Sequence, residues 1–181
     1  GMLLKKAMKG QLDLMGPAMA VANDLMEIPS FDTPDYSNLF DEEKEILKKL
    51  KKSILKVAGK AVEIIGMNIE EEQEILMATS DMLIAVYTAE SALLRAEKLA
   101  AEKGEEAASL QINMAKLYLH NSVENIQSAG REAIYSFTEG DDQRLLLMGL
   151  KRFTKYSNPI NPKLLRREIA KVVIEDNGYK S

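Results

Sequence analysis

Few side chains in this sequence are of the types that do chemistry. Of its 181 residues one is a histidine, His120, and none is a cysteine. Without a thiolate, no disulfide, zinc knuckle, iron–sulfur cluster or cysteine nucleophile can be built within the chain. A di-iron site in a helical bundle needs inward glutamates on two helices and Glu-x-x-His pairs on two others. The residue three before His120 is Leu117, so that pattern fails. A Ser-His-Asp arrangement would have to recruit His120 with a distant serine, and no G-x-S-x-G elbow supports it. Neither G-x-G-x-x-G nor G-x-x-x-x-G-K-[ST] occurs, so no glycine loop cradles a phosphate. His120 therefore reads as a surface or partner-bonded histidine. No catalytic, cofactor-binding or metal-ligating residue is expected.

The remaining candidates are charges. Glu70, Glu71, Glu72 and Glu74 suit the first turns of a helix, where negative charge complements the dipole. Asp81, Glu90 and Arg95 fall in a stretch whose apolar residues run nearly all round, and buried charges must be paired or solvated. With Arg131 they are expected to form structural ion pairs that fix helix register. Antiparallel packing about a loop near residue 104 places Asp81 beside Ile126, and Arg131 beside Glu74 or an acid one turn beyond. Lys49, Lys52, Lys56 and Lys60, joined by Lys5, Lys6 and Lys9, form a stripe suited to an anionic membrane surface or an acidic partner. Glu45 and Glu63 dilute it, and a solvated helix face is the competing reading. A net charge of −4 argues against general affinity for nucleic acid, which needs a basic face.

The elements that must position these groups are helices. The run Glu70 to Lys103 contains neither Gly nor Pro, which predicts a rod roughly 50 Å long at 1.5 Å per residue. One apolar series is Leu76, Leu83, Val86 and Leu93, and a second is Ile75, Met82, Ala85, Ala89, Ala92 and Leu99. So wide a stripe predicts the central member of a bundle. Ahead of it, Leu47, Leu50, Ile54, Val57, Ala61 and Ile65 make a 3,4-spaced seam over Asp41 to Ile65, with Lys49, Lys52, Lys56 and Lys60 opposite. Gly66 is the expected C-cap, and Asn68 the cap of the rod. Further helices are predicted over Glu105 to about Phe137, over Asp142 to about Tyr156, and from Pro162 to about Glu175 with Asn161 as N-cap. Residues 2 to 28 read as two short helices broken at Gly16-Pro17, and Pro29 to Asn38 as an extended connector. The fold class is all-α: an antiparallel, up-and-down bundle of four main helices with an N-terminal helical appendage, divided as 1–40 and 41–181 within one domain.

The longest uncharged run, Leu14 to Asn23, is ten residues long, short of the roughly 20 that a spanning helix requires. A secretory leader is not apparent in GMLLKKAMKG, and Gly1 reads as a tag scar. The expected location is the cytoplasm.

Glu71 to Lys98, EEQEILMATSDMLIAVYTAESALLRAEK, resembles the helical C-terminal domain of very-long-chain-type acyl-CoA dehydrogenases. The positions that carry the likeness are Glu72, Gln73, Asp81, Tyr87, Arg95 and Ala96. The opening MLLKKAMKG is similar to the segment that follows the dehydrogenase core in bacterial members, and Leu164 to Ala170, LLRREIA, to their closing helix. The resemblance implies a parent enzyme that uses FAD to remove hydrogens from Cα and Cβ of a long-chain acyl-CoA, with the flavin, cleft and catalytic glutamate in three preceding domains. This chain would then be a non-catalytic module without cofactor of its own. Its implied partners are those domains and a second copy in a homo-oligomer, with peripheral contact at the inner membrane face as a further expectation. Met2, Leu3, Leu4, Met8, Leu12, Leu14 and Met15 are the candidates for meeting the missing domains. A free-standing helical interaction or scaffold protein is the alternative.

Overall fold

The computed structural model of the protein describes residues 36–156 and 158–176. The short helices expected over 2–28, the apolar candidates between Met2 and Met15, and Lys5, Lys6 and Lys9 lie outside them. Among the described residues all regular structure is helical. Helix α1 spans Asp41–Ile65, a 3-10 turn Gly66–Glu70, α2 Gln73–Lys103, α3 Ser109–Phe137, α4 Gly140–Phe153 and α5 Pro162–Asp176. The expected all-α bundle is the architecture found.

Helix α1 begins where its sequence says it should. Asp41, Glu42 and Glu43 occupy the first turn, and Asp41 Oδ2 accepts bonds from the Asn38 backbone N–H (2.9 Å) and Nδ2 (3.0 Å). Phe40 just before it takes φ 67°, a strained conformation for a non-glycine residue that only firm surroundings hold. Here they do, since the ring is buried and Lys116 Nζ stands 5.8 Å over its centroid. The seam of α1 buries Ile46, Leu47, Leu50, Ile54, Val57 and Ala61. Gly66 ends the helix at φ 63°, as expected of a glycine cap. Asn68 does not cap the rod. It lies within the 3-10 turn, so α2 begins only at Gln73 and three of the four clustered acids, Glu70, Glu71 and Glu72, precede it.

The long rod is less central than its composition predicts. In α2 the buried stripe is Ile75, Ala78, Met82, Val86, Ala89, Leu93, Ala96 and Ala100, a regular 3,4 alternation facing α1 and α3. It is α3 that makes substantial contact with all four other helices, burying Ile112, Ala115, Leu119, Ser122, Val123, Ile126, Gly130, Ala133 and Ile134. Leu76, Ala85, Ala92 and Leu99 of α2 are half-buried, whereas Leu83 is exposed.

Register follows from loop length. The α2–α3 turn takes up Gly104–Ala108, with Gly104 at φ 89°, so pairing moves by roughly one helical turn relative to two helices meeting at residue 104. Met82 consequently reaches Gly130, its Cε only 3.2 Å from where a Cβ there would sit. The α1–α2 pair is antiparallel too, as Lys44 binds Glu97 and Lys51 binds Glu90 across it. Helix α4 starts at Gly140 (φ 62°), two residues before the expected Asp142. Helix α5 starts as predicted, with Asn161 Oδ1 accepting from the Leu164 N–H at 3.2 Å. It buries no side chain fully. Half-buried Leu165, Ile169 and Val172, together with Asn113–Glu168 and Asn121–Arg166 contacts, hold it to α3.

Candidate functional site

The lysine stripe is where structure and sequence part most clearly. Lys56 and Lys60 do not face open solvent, because α4 lies across them. A Cβ at buried Gly149 would sit 2.8 Å from Lys56 Nζ, so the lysine stem rests on bare backbone of α4. Burial pushes the Lys56 ammonium below the usual lysine range, and the Arg152 guanidinium adds to the shift. Lys60 is held by Glu63 at 2.8 Å and Asp142 at 3.5 Å. Its hydrogen bond to Glu63 raises its pKa, against a smaller opposing effect of burial, with Asp142 also favouring the charge. Lys49 and Lys52 are half-buried. The four docking candidates Lys49, Lys52, Lys56 and Lys60 thus do not share one environment, Lys56 and Lys60 lying against α4. The reason is that a glycine on a neighbouring helix can admit a lysine stem, which a one-helix reading cannot foresee.

The four ion-pair candidates also separate. Glu90 is paired with Lys51 at 2.6 Å across α1 and α2. Asp81 and Arg95 are exposed on α2, outside any apolar sheath. Arg131 is exposed as well, and among the described residues neither Glu74 nor any other carboxylate comes within 4.0 Å of it. The register shift explains part of this. The rest is direction, since Arg131 turns away from the α2 seam into a groove between α3 and α4. That groove, about 320 Å³, is lined by Gln127, Arg131 and Tyr135 from α3 and by Leu147, Leu150 and Lys151 from α4. Its i, i+4, i+8 row on α3 was the available sequence signal.

Two further features depart from the sequence reading. The outer side of α2 carries Met77, Leu83, Ile84, Tyr87 and Leu94 in the open, with Met77, Ile84 and Tyr87 at 66%, 61% and 73% exposure. These residues made the rod look apolar all round. Against them, Thr88 and Ser91 bond back to carbonyls four residues earlier, the usual resting state of hydroxyls on a solvent-facing helix. His120, expected at the surface or bonded to a partner, is instead half-buried with its ring 6.0 Å from that of Tyr156. Its Nδ1 and the Tyr156 hydroxyl oxygen are buried without a hydrogen-bond partner among the described residues. Burial, with Glu43, Glu42 and Glu124 nearby, drives the Tyr156 pKa well above the ordinary tyrosine value.

Among the described residues no three His, Asp or Glu side chains converge as a metal site. None of the described helices is long and apolar enough to cross a membrane. What the described residues offer is contact: an exposed apolar row on α2 and a cation-lined groove between α3 and α4.

Comparison with known proteins agrees with an architecture of this kind. The family described as "Acyl-CoA dehydrogenase, C-terminal domain" matches residues 49–152. A protein of Bacillus subtilis (strain 168) described as a probable acyl-CoA dehydrogenase is 34% identical over 176 residues, covering 97% of this chain and 29% of that protein. The crystal structure of an acyl-CoA dehydrogenase complexed with FAD from Bacillus anthracis matches with a TM-score of 0.91 at 30% identity, covering 100% of this chain and 30% of that one. The chain therefore spans less than a third of the length of these relatives. Family profile, sequence likeness and superposition coincide on one helical region, and the chain belongs to the acyl-CoA dehydrogenase C-terminal domain family.

Proposed function

We propose that this chain works as the non-catalytic helical module of an FAD-dependent long-chain acyl-CoA dehydrogenase, with the flavin and acyl-CoA held by the remaining polypeptide and the module serving assembly. The observation that carries this reading is the match of the whole chain to 30% of an FAD-complexed acyl-CoA dehydrogenase at a TM-score of 0.91. The uncovered row on α2 supports it, because contiguous exposed apolar surface marks contacts with other polypeptide. The free-standing scaffold alternative gains no support from any of these likenesses.

The test compares the isolated chain with the same chain joined to the dehydrogenase domains that precede it. Flavin absorbance and dye-linked oxidation of palmitoyl-CoA are expected from the joined form alone. Stoichiometric FAD retained by the isolated chain overturns the reading. Two finer parts belong to the same proposal. Homo-oligomer formation by the joined protein is checked by sedimentation equilibrium, and a monomer removes it. Peripheral membrane contact is checked by pelleting with phosphatidylglycerol vesicles, where Lys49→Glu with Lys52→Glu should lower the bound fraction. Equal pelleting of both forms removes that part.

A further inference from the structure

We propose that the α3–α4 groove is a docking site for a carboxylate side chain with apolar neighbours, presented by the rest of the dehydrogenase polypeptide. The inference rests on the module reading above and adds a particular contact to it.

The groove is built by a glycine. A Cβ at Gly130 would lie 2.9 Å from Leu150 Cδ1 and 3.0 Å from Cδ2, so only the bare backbone lets Leu150 sink against α3. Leu147 and Leu150 thereby form a low apolar floor, and the walls above carry Gln127, Arg131, Tyr135 and Lys151. Two cations, an amide and a phenol thus surround an apolar base.

The charge balance points to the occupant. Four lysines that cross between helices meet acids, Lys44 with Glu97, Lys51 with Glu90, Lys60 with Asp142 and Lys116 with Glu43, whereas Lys56 crosses to α4 beside Arg152. Arg131 and Lys151 line one groove, and among the described residues neither has a carboxylate within ion-pair distance. A guanidinium takes a carboxylate through two parallel N–H bonds, with Gln127 and Tyr135 as additional donors. A bare phosphate would satisfy the cations but leave the leucine floor unused. A glutamate or aspartate flanked by apolar side chains uses both, the pattern of an anchored contact with a polar rim. Relatives contain more than twice as much further polypeptide as this chain supplies, so a source for such a segment exists in the proposed parent.

The experiment titrates the chain with acetyl-Leu-Glu-Leu-amide and follows the Arg131 Nε–H and Gln127 side-chain amide signals by NMR. Saturable shifts are expected, and about tenfold weaker binding when the peptide's Glu is replaced by Gln, the usual scale for one charge-assisted bond. Arg131→Gln with Lys151→Gln should give the same loss. Both residues are exposed, so unchanged melting will show that the variant remains folded. Absence of saturation, an equal response to the Gln peptide, or equally tight saturation by inorganic phosphate overturns the proposal. So does self-association in sedimentation equilibrium that the double variant abolishes, which would assign the groove to a second copy. None of these readouts involves flavin. FAD retained by the isolated chain would sink the module reading while leaving the titration untouched, so the two ideas fail separately.

Discussion

Helix α3 meets two neighbours in different ways. It buries Ile112, Ala115, Leu119, Val123, Ile126 and Ala133, and its most extensive seam is with α2, whose buried stripe is rich in alanine. Toward α5 it relies on half-buried contacts and two polar links, Asn113 to Glu168 and Asn121 to Arg166. The first seam removes apolar surface from water along its whole length, which is the dominant favourable contribution to folding. The second exchanges hydrogen bonds to water for hydrogen bonds within the protein, a nearly even trade for exposed groups. The hairpin of α2 and α3 should therefore behave as the folding unit, and α5 as an appendage able to detach without unfolding it.

The strongest way to break this contrast is to damage the first seam. Leu119 is fully buried, and Leu119→Ala should destabilise the chain by roughly 2–5 kcal/mol, read from urea denaturation. Removing α5 by ending the chain at Asn161 should cost only about 1–2 kcal/mol, since three half-buried side chains are lost along with the entropy of ordering them. If truncation costs as much as Leu119→Ala, the distinction between seam and appendage fails.

A third experiment uses alkali. Tyr156 has its pKa raised from the model-compound value of 10.0. The unfolded chain therefore releases that proton near pH 10 while the folded chain keeps it, and stability should fall above pH 10 by up to about 1.4 kcal/mol per pH unit. Lys60, also raised, acts in the same direction, since its contribution is present below pH 10.5 and disappears above it. Lys56, lowered by burial, opposes both, because its penalty is relieved as pH rises toward 10.5. Tyr156→Phe should flatten the alkaline decline. At pH 7 it should change stability by less than about 1 kcal/mol, because the hydroxyl it deletes has no protein partner among the described residues. The smallest effect belongs to the α1–α2 surface. A double-mutant cycle on Lys51 and Glu90 should give about 0.2–1 kcal/mol, as both side chains are well exposed.

Legibility in the sequence tracked how local the determining physics was. Helix α1, its Gly66 stop and the Asn161 start of α5 were readable because periodicity and capping act within a few residues. The α2–α3 register was not. Glu105, Glu106, Ala107 and Ala108 are good helix formers, yet they form the turn, and a short tertiary closure outweighed propensity. Centrality was misjudged because apolar residues announce that they can be covered but not by what. Met77, Ile84 and Tyr87 remain uncovered among the described residues. The expected pairing of Arg131 with an acid of the long helix is not found among the described residues; Arg131 instead lines a groove whose other wall is on α4. Lys56 and Gly149 illustrate the same gap, a pairing of α1 with α4 that no single-helix pattern contains.

That last pairing reaches beyond packing. Because the space above Gly149 is filled by the far end of a flexible side chain, Gly149→Ala would be accommodated by eviction: the ammonium swings outward and regains hydration, which relieves the burial that lowers its pKa. The electrostatic face that α1 shows to the world is thus decided by the smallest residue on another helix, and a single methyl group could redraw it.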